Sequence, residues 1–158
     1  MKKIKNIGLL LFLTLSTLSF SYQVNYDDVV DIVLRNYPQS RVTKIEIANY
    51  KGKTVYEGET FNKGQKIEFI INVNTGEVYK MDPNYDDEYN PSYNLPITFE
   101  QASRIALDNS FNGRVKSIEL KNTDKKAYYV VEVRENKAEK EINIDANSGK
   151  VLNIKESM

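Results

Sequence analysis

"INVNTGEVY" (Ile71–Tyr79) and "INIDANSGKVL" (Ile142–Leu152) are two versions of one phrase. Each is an apolar alternation that meets Asn-(Thr/Ser)-Gly and resumes on valine. Sliding the chain by 73 positions lays Gly76 on Gly149, Asn74 on Asn147, Val78 on Val151 and Ile71 on Ile144. The match then spreads outward. Tyr56 falls on Tyr129, Ile45-Glu46 on Ile118-Glu119, Arg41-Val42 on Arg114-Val115, and Asn36 on Asn109. No gap is needed from Tyr26/Phe99 to Tyr79/Leu152, and about 16 of 54 aligned pairs are identical. The chain is a tandem duplication.

Read together, the copies predict one unit. A helix comes first. Thr98-Phe-Glu-Gln101 is a capping box, and Asn25 is a good N-cap at the matching place. Val29, Ile32, Val33 and Asn36, and in copy two Ala102, Ile105, Ala106 and Asn109, follow helical spacing. Pro38 and Asn112-Gly113 are the expected stops. Period-2 strands follow: Ile45 and Ile47 on one face, matched by Ile118 and Leu120; then Tyr129, Val131 and Val133; then Ile67, Phe69, Ile71 and Val73, matched by Ile142, Ile144 and Ala146. The Asn-(Thr/Ser)-Gly turns the chain into a short last strand. Glycine supplies the positive φ of that turn and asparagine tolerates it.

The fold class is therefore α+β: two tandem units, each one helix packed on a small antiparallel sheet of three to four strands. A unit of about 60 residues has a marginal core, so the copies are expected to pack on each other or share a sheet. Gly58 and Thr60 stand where copy two has Val131 and Val133. This predicts a weaker middle strand in copy one, exposed or adapted for a partner.

The first 21 residues have the tripartite form of a signal peptide: Lys2, Lys3 and Lys5, an apolar Ile7–Leu18, and Ser19 and Ser21 before a cut at Tyr22. The alternative is an uncleaved anchor, although the apolar run is shorter than the roughly 18–20 residues of a spanning helix. The expected organisation is 1–21 signal peptide, 22–80 first unit, 81–97 acidic Tyr/Pro-rich linker, and 98–158 second unit. The protein is then exported, periplasmic or extracellular, with no membrane span after cleavage. Cleavage leaves 19 basic against 22 acidic residues, and no basic patch suits a nucleic acid. With His 0 and Cys 0, neither a Ser-His-Asp or Cys-His arrangement nor the usual zinc site can form. Without cysteine the fold has no disulfide and no lipid-bearing cysteine at the cut.

Each copy resembles a PepSY domain. The resemblance rests on "V-x-x-I-E-(I/L)" (Val42–Ile47, Val115–Leu120), "(V/Y)-Y-x-x-E" (Val55–Glu59, Tyr128–Glu132), and an ending such as Ile144-Asp-Ala-Asn-Ser-Gly-Lys-Val151. Asn72 stands where the family's Asp is usual. The resemblance covers nearly all of the mature chain outside the linker. It implies the kind of module found in propeptides of secreted metallopeptidases, which inhibit the enzyme or assist its folding, and as free-standing exported or membrane-linked modules of bacteria. Paired helix-plus-sheet units are similar in general architecture to the beta-lactamase inhibitor protein, at the level of fold alone. The family has no catalytic residues to carry over.

Two functions follow as expectations. One is an exported non-catalytic protein that binds and inhibits or regulates a secreted peptidase. The other is an envelope binding or scaffolding module with no inhibitory role. The expected contact residues are Tyr85, Tyr89 and Tyr93 in the linker "MDPNYDDEYNPSYNLP" and the outward-facing Tyr128, because tyrosine gives large contact area at low entropic cost. The linker also reads as a plain semi-extended spacer stiffened by Pro83, Pro91 and Pro96, and Tyr128 as a contact with the other copy. Asp82, Asn84, Asp86 and Glu88 have calcium-loop spacing, but the required Gly and Glu are replaced by Asp87 and Tyr93. Glu46/Glu119 and Glu59/Glu132 read as solvated, lysine-paired carboxylates. Asn36 and Asn109 read as helix-end hydrogen bonds to a loop. No cofactor and no catalytic or metal residue is expected.

Overall fold

The computed structural model describes residues 23–84, 95–123, 126–136 and 138–157. The expected signal peptide lies outside these residues. The repeat unit is seen twice: α1 (Tyr26–Asn36), β1 (Arg41–Tyr50), β2 (Lys53–Asn62), β3 (Gln65–Asn72) and β4 (Val78–Asn84), then α2 (Phe99–Asp108), β5 (Arg114–Thr123), β6 (Lys126–Glu135), β7 (Ala138–Asp145) and β8 (Val151–Ser157). β4 continues through residues 81–84, past the expected start of the linker.

Both helices open on capping boxes, the second as read from the sequence and the first with Asp28 completing the N-cap expected at Asn25. Asn25 caps Asp28 N–H while Asp28 reaches back to the Asn25 N–H, and Thr98 and Gln101 repeat the exchange. α1 closes at Asn36 with Tyr37 as its C-cap, directly before the expected stop at Pro38, whereas α2 closes at Asp108, ahead of Asn112. The Asn36 Nδ2 donates to the Ile32 carbonyl and the Asn109 Nδ2 to the Ile105 carbonyl, each at 2.8 Å. These asparagines thus satisfy carbonyls of their own helix ends rather than a loop.

The eight strands form a single antiparallel sheet in the order β4-β3-β2-β1-β5-β6-β7-β8. The copies share a sheet instead of carrying two. Their junction is β1 against β5, with Lys44 opposite Glu119, Ile45 opposite Ile118, and Glu46 opposite Ser117. Ile45 and Ile118 are equivalent in the repeat, so a pseudo-dyad passes between them. Both side chains are fully buried, within one core cluster that includes apolar residues of both helices and both sets of strands. One face of the sheet is thus covered by both helices and the other is open. Joining two marginal cores into one is the economical answer to the small size of each unit.

The expectation of a weak, exposed middle strand in copy one is overturned. Gly58 and Thr60 are buried. Gly58 pairs across the strands with Phe69, and a Cβ on Gly58 would stand 2.4 Å from the Phe69 Cζ and 2.2 Å from the Lys44 carbonyl oxygen. Copy two has Val131 opposite Ile142 at the same place. A small–large pair has been exchanged for a medium–medium pair, and the core volume is kept.

The turn that reveals the repeat is also packed. Gly76 and Gly149 both have φ +71, and a Cβ on either would meet the Cδ1 of Ile32 or Ile105 at 3.1 Å. Positive φ is confined there to the glycines; Asn74 and Asn147 do not adopt it. The turn is held by the residue before it. The Asn72 Oδ1 accepts from the Asn74 and Thr75 N–H groups, and the Asp145 Oδ1 from those of Asn147 and Ser148. Those bonds, led by the Ser148 N–H, pull the Asp145 carboxyl below its ordinary range. Asn72 does something an aspartate could not: its Nδ2 donates to the Tyr79 hydroxyl at 2.8 Å.

Candidate functional site

On the helix-bearing face a groove of about 590 Å³ lies between α1 and the segment leading into α2. Its apolar walls include Val30 and Leu34 of α1, Leu95 and Ile97 before α2, and Leu120 of β5. Asp27, Asp31 and Arg41 supply the charge. Leu34 and Asp31 follow from the helical stripe, since they flank the buried Val29, Ile32 and Val33 on the side that turns away from the sheet.

Asp27 ties the two repeats together at one end of this groove. One of its oxygens accepts from the Thr98 hydroxyl at 3.0 Å and the other from the Glu100 N–H at 3.2 Å. The carboxylate thus sits on the first turn of the neighbouring helix, where the orphan N–H groups and the macrodipole favour an anion. Tyr129 and Ile97, both on the lining, are joined by a bond that recurs in the first copy between residues outside it. The Tyr56 hydroxyl donates to the Val24 carbonyl at 2.9 Å and the Tyr129 hydroxyl to the Ile97 carbonyl at 2.7 Å. Each tyrosine packs on the first aromatic residue of its helix, Tyr26 and Phe99, with ring centroids 5.3 and 5.1 Å apart.

Burial raises the pKa of all three tyrosines, pushing Tyr56 up to about 12 and Tyr26 and Tyr129 higher. The protonated forms are favoured by folding, while the unfolded chain releases these protons near pH 10. Stability is therefore expected to be unaffected by these groups below about pH 10 and to fall as pH rises from there through about 12. Urea midpoints measured across alkaline pH test this, and replacing Tyr56 and Tyr129 by phenylalanine is expected to flatten the decline.

The open face is polar. Glu59 pairs with Lys66 at 3.6 Å, Glu132 with Lys116 at 3.8 Å, Glu46 with Lys44 at 2.6 Å, and Glu119 with Lys121. The recurring glutamates are solvated and lysine-paired, as the sequence reading had them. Two of these pairs run along a strand rather than across strands. Such pairs contribute at most about 1 kcal/mol each. Among the described residues, no group of three or more His, Cys, Asp or Glu could hold a metal. Asp82 and Asn84 of the calcium-loop pattern stand in β4, opposite Glu68 and Lys66; Asp86 and Glu88 lie outside the described residues.

Of the expected contact residues, Tyr85, Tyr89 and Tyr93 also lie outside the described residues. Tyr128 is half-buried on the open face. Its register partners, Lys121 and Asp145, both belong to its own repeat. It is remote in kind from the groove, which lies on the other face. Sequence reasoning missed the groove residues altogether. The available signal was divergence between copies: Val30 and Asp31 correspond to Ser103 and Arg104.

A family profile described as the peptidase propeptide and YPEB domain, PepSY, matches residues 23–82 and again residues 96–155. No curated protein matches the chain significantly. Among solved structures, a Clostridium difficile 630 protein assigned as a lipoprotein is 23% identical, with TM-score 0.62, over 86% of this chain and 95% of that one. It shares the fold. The Bacillus megaterium YpeB C-terminal domain aligns over 85% of this chain and 66% of its own, at 14% identity and TM-score 0.35. Among the described residues, no helix is long and apolar enough to cross a membrane.

Proposed function

The chain belongs to the PepSY family, which it carries twice, and from that premise we propose that it is an exported, non-catalytic module that binds a secreted peptidase and restrains it. The observation that carries this reading is the repeated match to a peptidase-propeptide domain in a chain with no histidine and no cysteine. A propeptide-like module acts by surface rather than by chemistry, so it needs a docking site and no nucleophile. The groove offers one: a mostly apolar trough with Asp27, Asp31 and Arg41 among its lining residues, the general make-up of a binding site with a few placed polar groups. Leu34, 36% exposed on its wall, is free to be covered without rebuilding the core.

The purified protein is expected to slow substrate cleavage by a peptidase secreted from the same cells, in proportion to its concentration. Leu34→Glu is expected to weaken that effect about tenfold or more, which corresponds to about 1.4 kcal/mol of lost docking. If no secreted peptidase changes its rate, and an envelope component is recovered on the protein instead, the scaffolding reading replaces this one.

A further inference from the structure

The two outer edges of the sheet are equivalent positions in the repeat but are not built alike. The β4 edge is tied down. The Tyr37 hydroxyl donates to the Met81 carbonyl at 3.4 Å, and the Met81 side chain packs against the core. The Tyr79 hydroxyl accepts from the Asn72 amide at 2.8 Å and from the Lys53 ammonium at 3.0 Å, and its ring stacks on Tyr50. Pro83, opposite Ile67, has no N–H to offer.

Every one of these devices is missing from β8. Ser110 stands for Tyr37, and its hydroxyl returns to the Ala106 carbonyl of its own helix. Asp145 stands for Asn72, Leu152 for Tyr79, Ile154 for Met81, and Glu156 for Pro83. The result is a seven-residue edge strand without proline, on which Leu152 is 44% and Ile154 41% exposed. Among the described residues no strand lies beyond it. Natural edges are normally blunted by proline, a bulge or an inward charge because a bare one templates pairing. The two edges share a bulge, at Tyr79 and Leu152, and β8 adds Glu156, paired with Lys140, but has neither the proline nor the tyrosine anchors of β4.

We propose that β8 is a dimerisation edge, pairing antiparallel with β8 of a second copy about a dyad at Ile154. A second copy is the favoured occupant because the molecule already contains this joint once. β1 and β5 meet antiparallel about Ile45 and Ile118, with both helices kept on one face. A dyad at Ile154 repeats that geometry with an isoleucine facing its own equivalent. It sets Asn153 opposite Lys155 of the second copy and Glu156 opposite Leu152, so no like charges meet directly. Ile154 lies on the helix-bearing face, opposite the buried Ile142, so the pairing extends the core to a second molecule. The interface is isologous and closed, which stops growth at two copies.

Sedimentation velocity over a concentration series is expected to show a monomer–dimer equilibrium. Ile154→Lys, at an exposed site, is expected to raise the dissociation constant at least about tenfold, corresponding to about 1.4 kcal/mol. Because the chain has no cysteine, Ile154→Cys gives a single thiol. Facing β-strand positions are about 4.5–5.5 Å apart, within disulfide reach, so mild oxidation is expected to link the copies. Val78→Cys on the β4 edge is expected not to link. A protein that stays monomeric at every concentration, including one that instead captures an extended segment of another protein on β8, overturns the proposal. Equal cross-linking from both edges overturns it too. A circular dichroism spectrum matching the parent shows that Ile154→Lys remains folded.

Discussion

Phe69→Ala is expected to lower the unfolding free energy by about 3–5 kcal/mol. The ring is fully buried and occupies the space that Gly58 leaves on the neighbouring strand. Its removal opens a cavity that neither backbone can close, because both strands are paired on both sides. The reverse error is as informative. Gly58→Val drives a branched side chain into contacts that are already 2.2–2.4 Å for a bare Cβ, at a cost of about 1–3 kcal/mol or more. Combining Gly58→Val with Phe69→Ile recreates the Val131–Ile142 pair of the second repeat. The double variant is expected to recover the part of the loss that comes from the ring, while the approach to the Lys44 carbonyl remains, so the two changes are non-additive. Urea denaturation of the parent, Gly58→Val, Phe69→Ile and the double variant measures the cycle. If Gly58→Val is no less stable than the parent, or if the two losses simply add, this account of the core is wrong.

Ile118→Asp is expected to be more damaging still, above about 4 kcal/mol. The carboxylate would lie in the shared core, opposite Ile45, with no cation within the buried cluster to meet it. The consequence reaches beyond one repeat. Because the sheet and core run through the junction, the parent protein is expected to unfold in one cooperative transition, with near-ultraviolet and far-ultraviolet signals superimposed. Two separate transitions in the parent, or an Ile118→Asp variant that melts in one half only, would mean that the repeats fold as independent units.

The repeat itself was legible because both copies obey the same local rules. Capping boxes, helical stripes and period-2 strands depend on residues a few positions apart, and the glycine of the closing turn must take a positive φ wherever it stands. The misreadings share a cause as well. Gly58 looks weak in a strand read alone, since the ring that fills its place comes from the next strand. Asn36 and Asn109 looked like contacts to a loop, but the carbonyl one turn back is nearer. The groove left no motif at all. Its walls come from α1, β5 and the segment before α2, and only folding brings them together.

What the sequence determined alone was the unit: one helix, four strands, a turn that closes them, and the family to which they belong. Tertiary structure decided how two units become one molecule. Hydrophobic periodicity says which face of a strand is buried but not which strand lies beside it. The junction of Ile45 with Ile118, the placement of Asp27 on the neighbouring helix, and the contrast between a β4 pinned by tyrosines and a β8 without them all depend on partners far apart along the chain. They follow from burying two small cores as one, which no short stretch of sequence records.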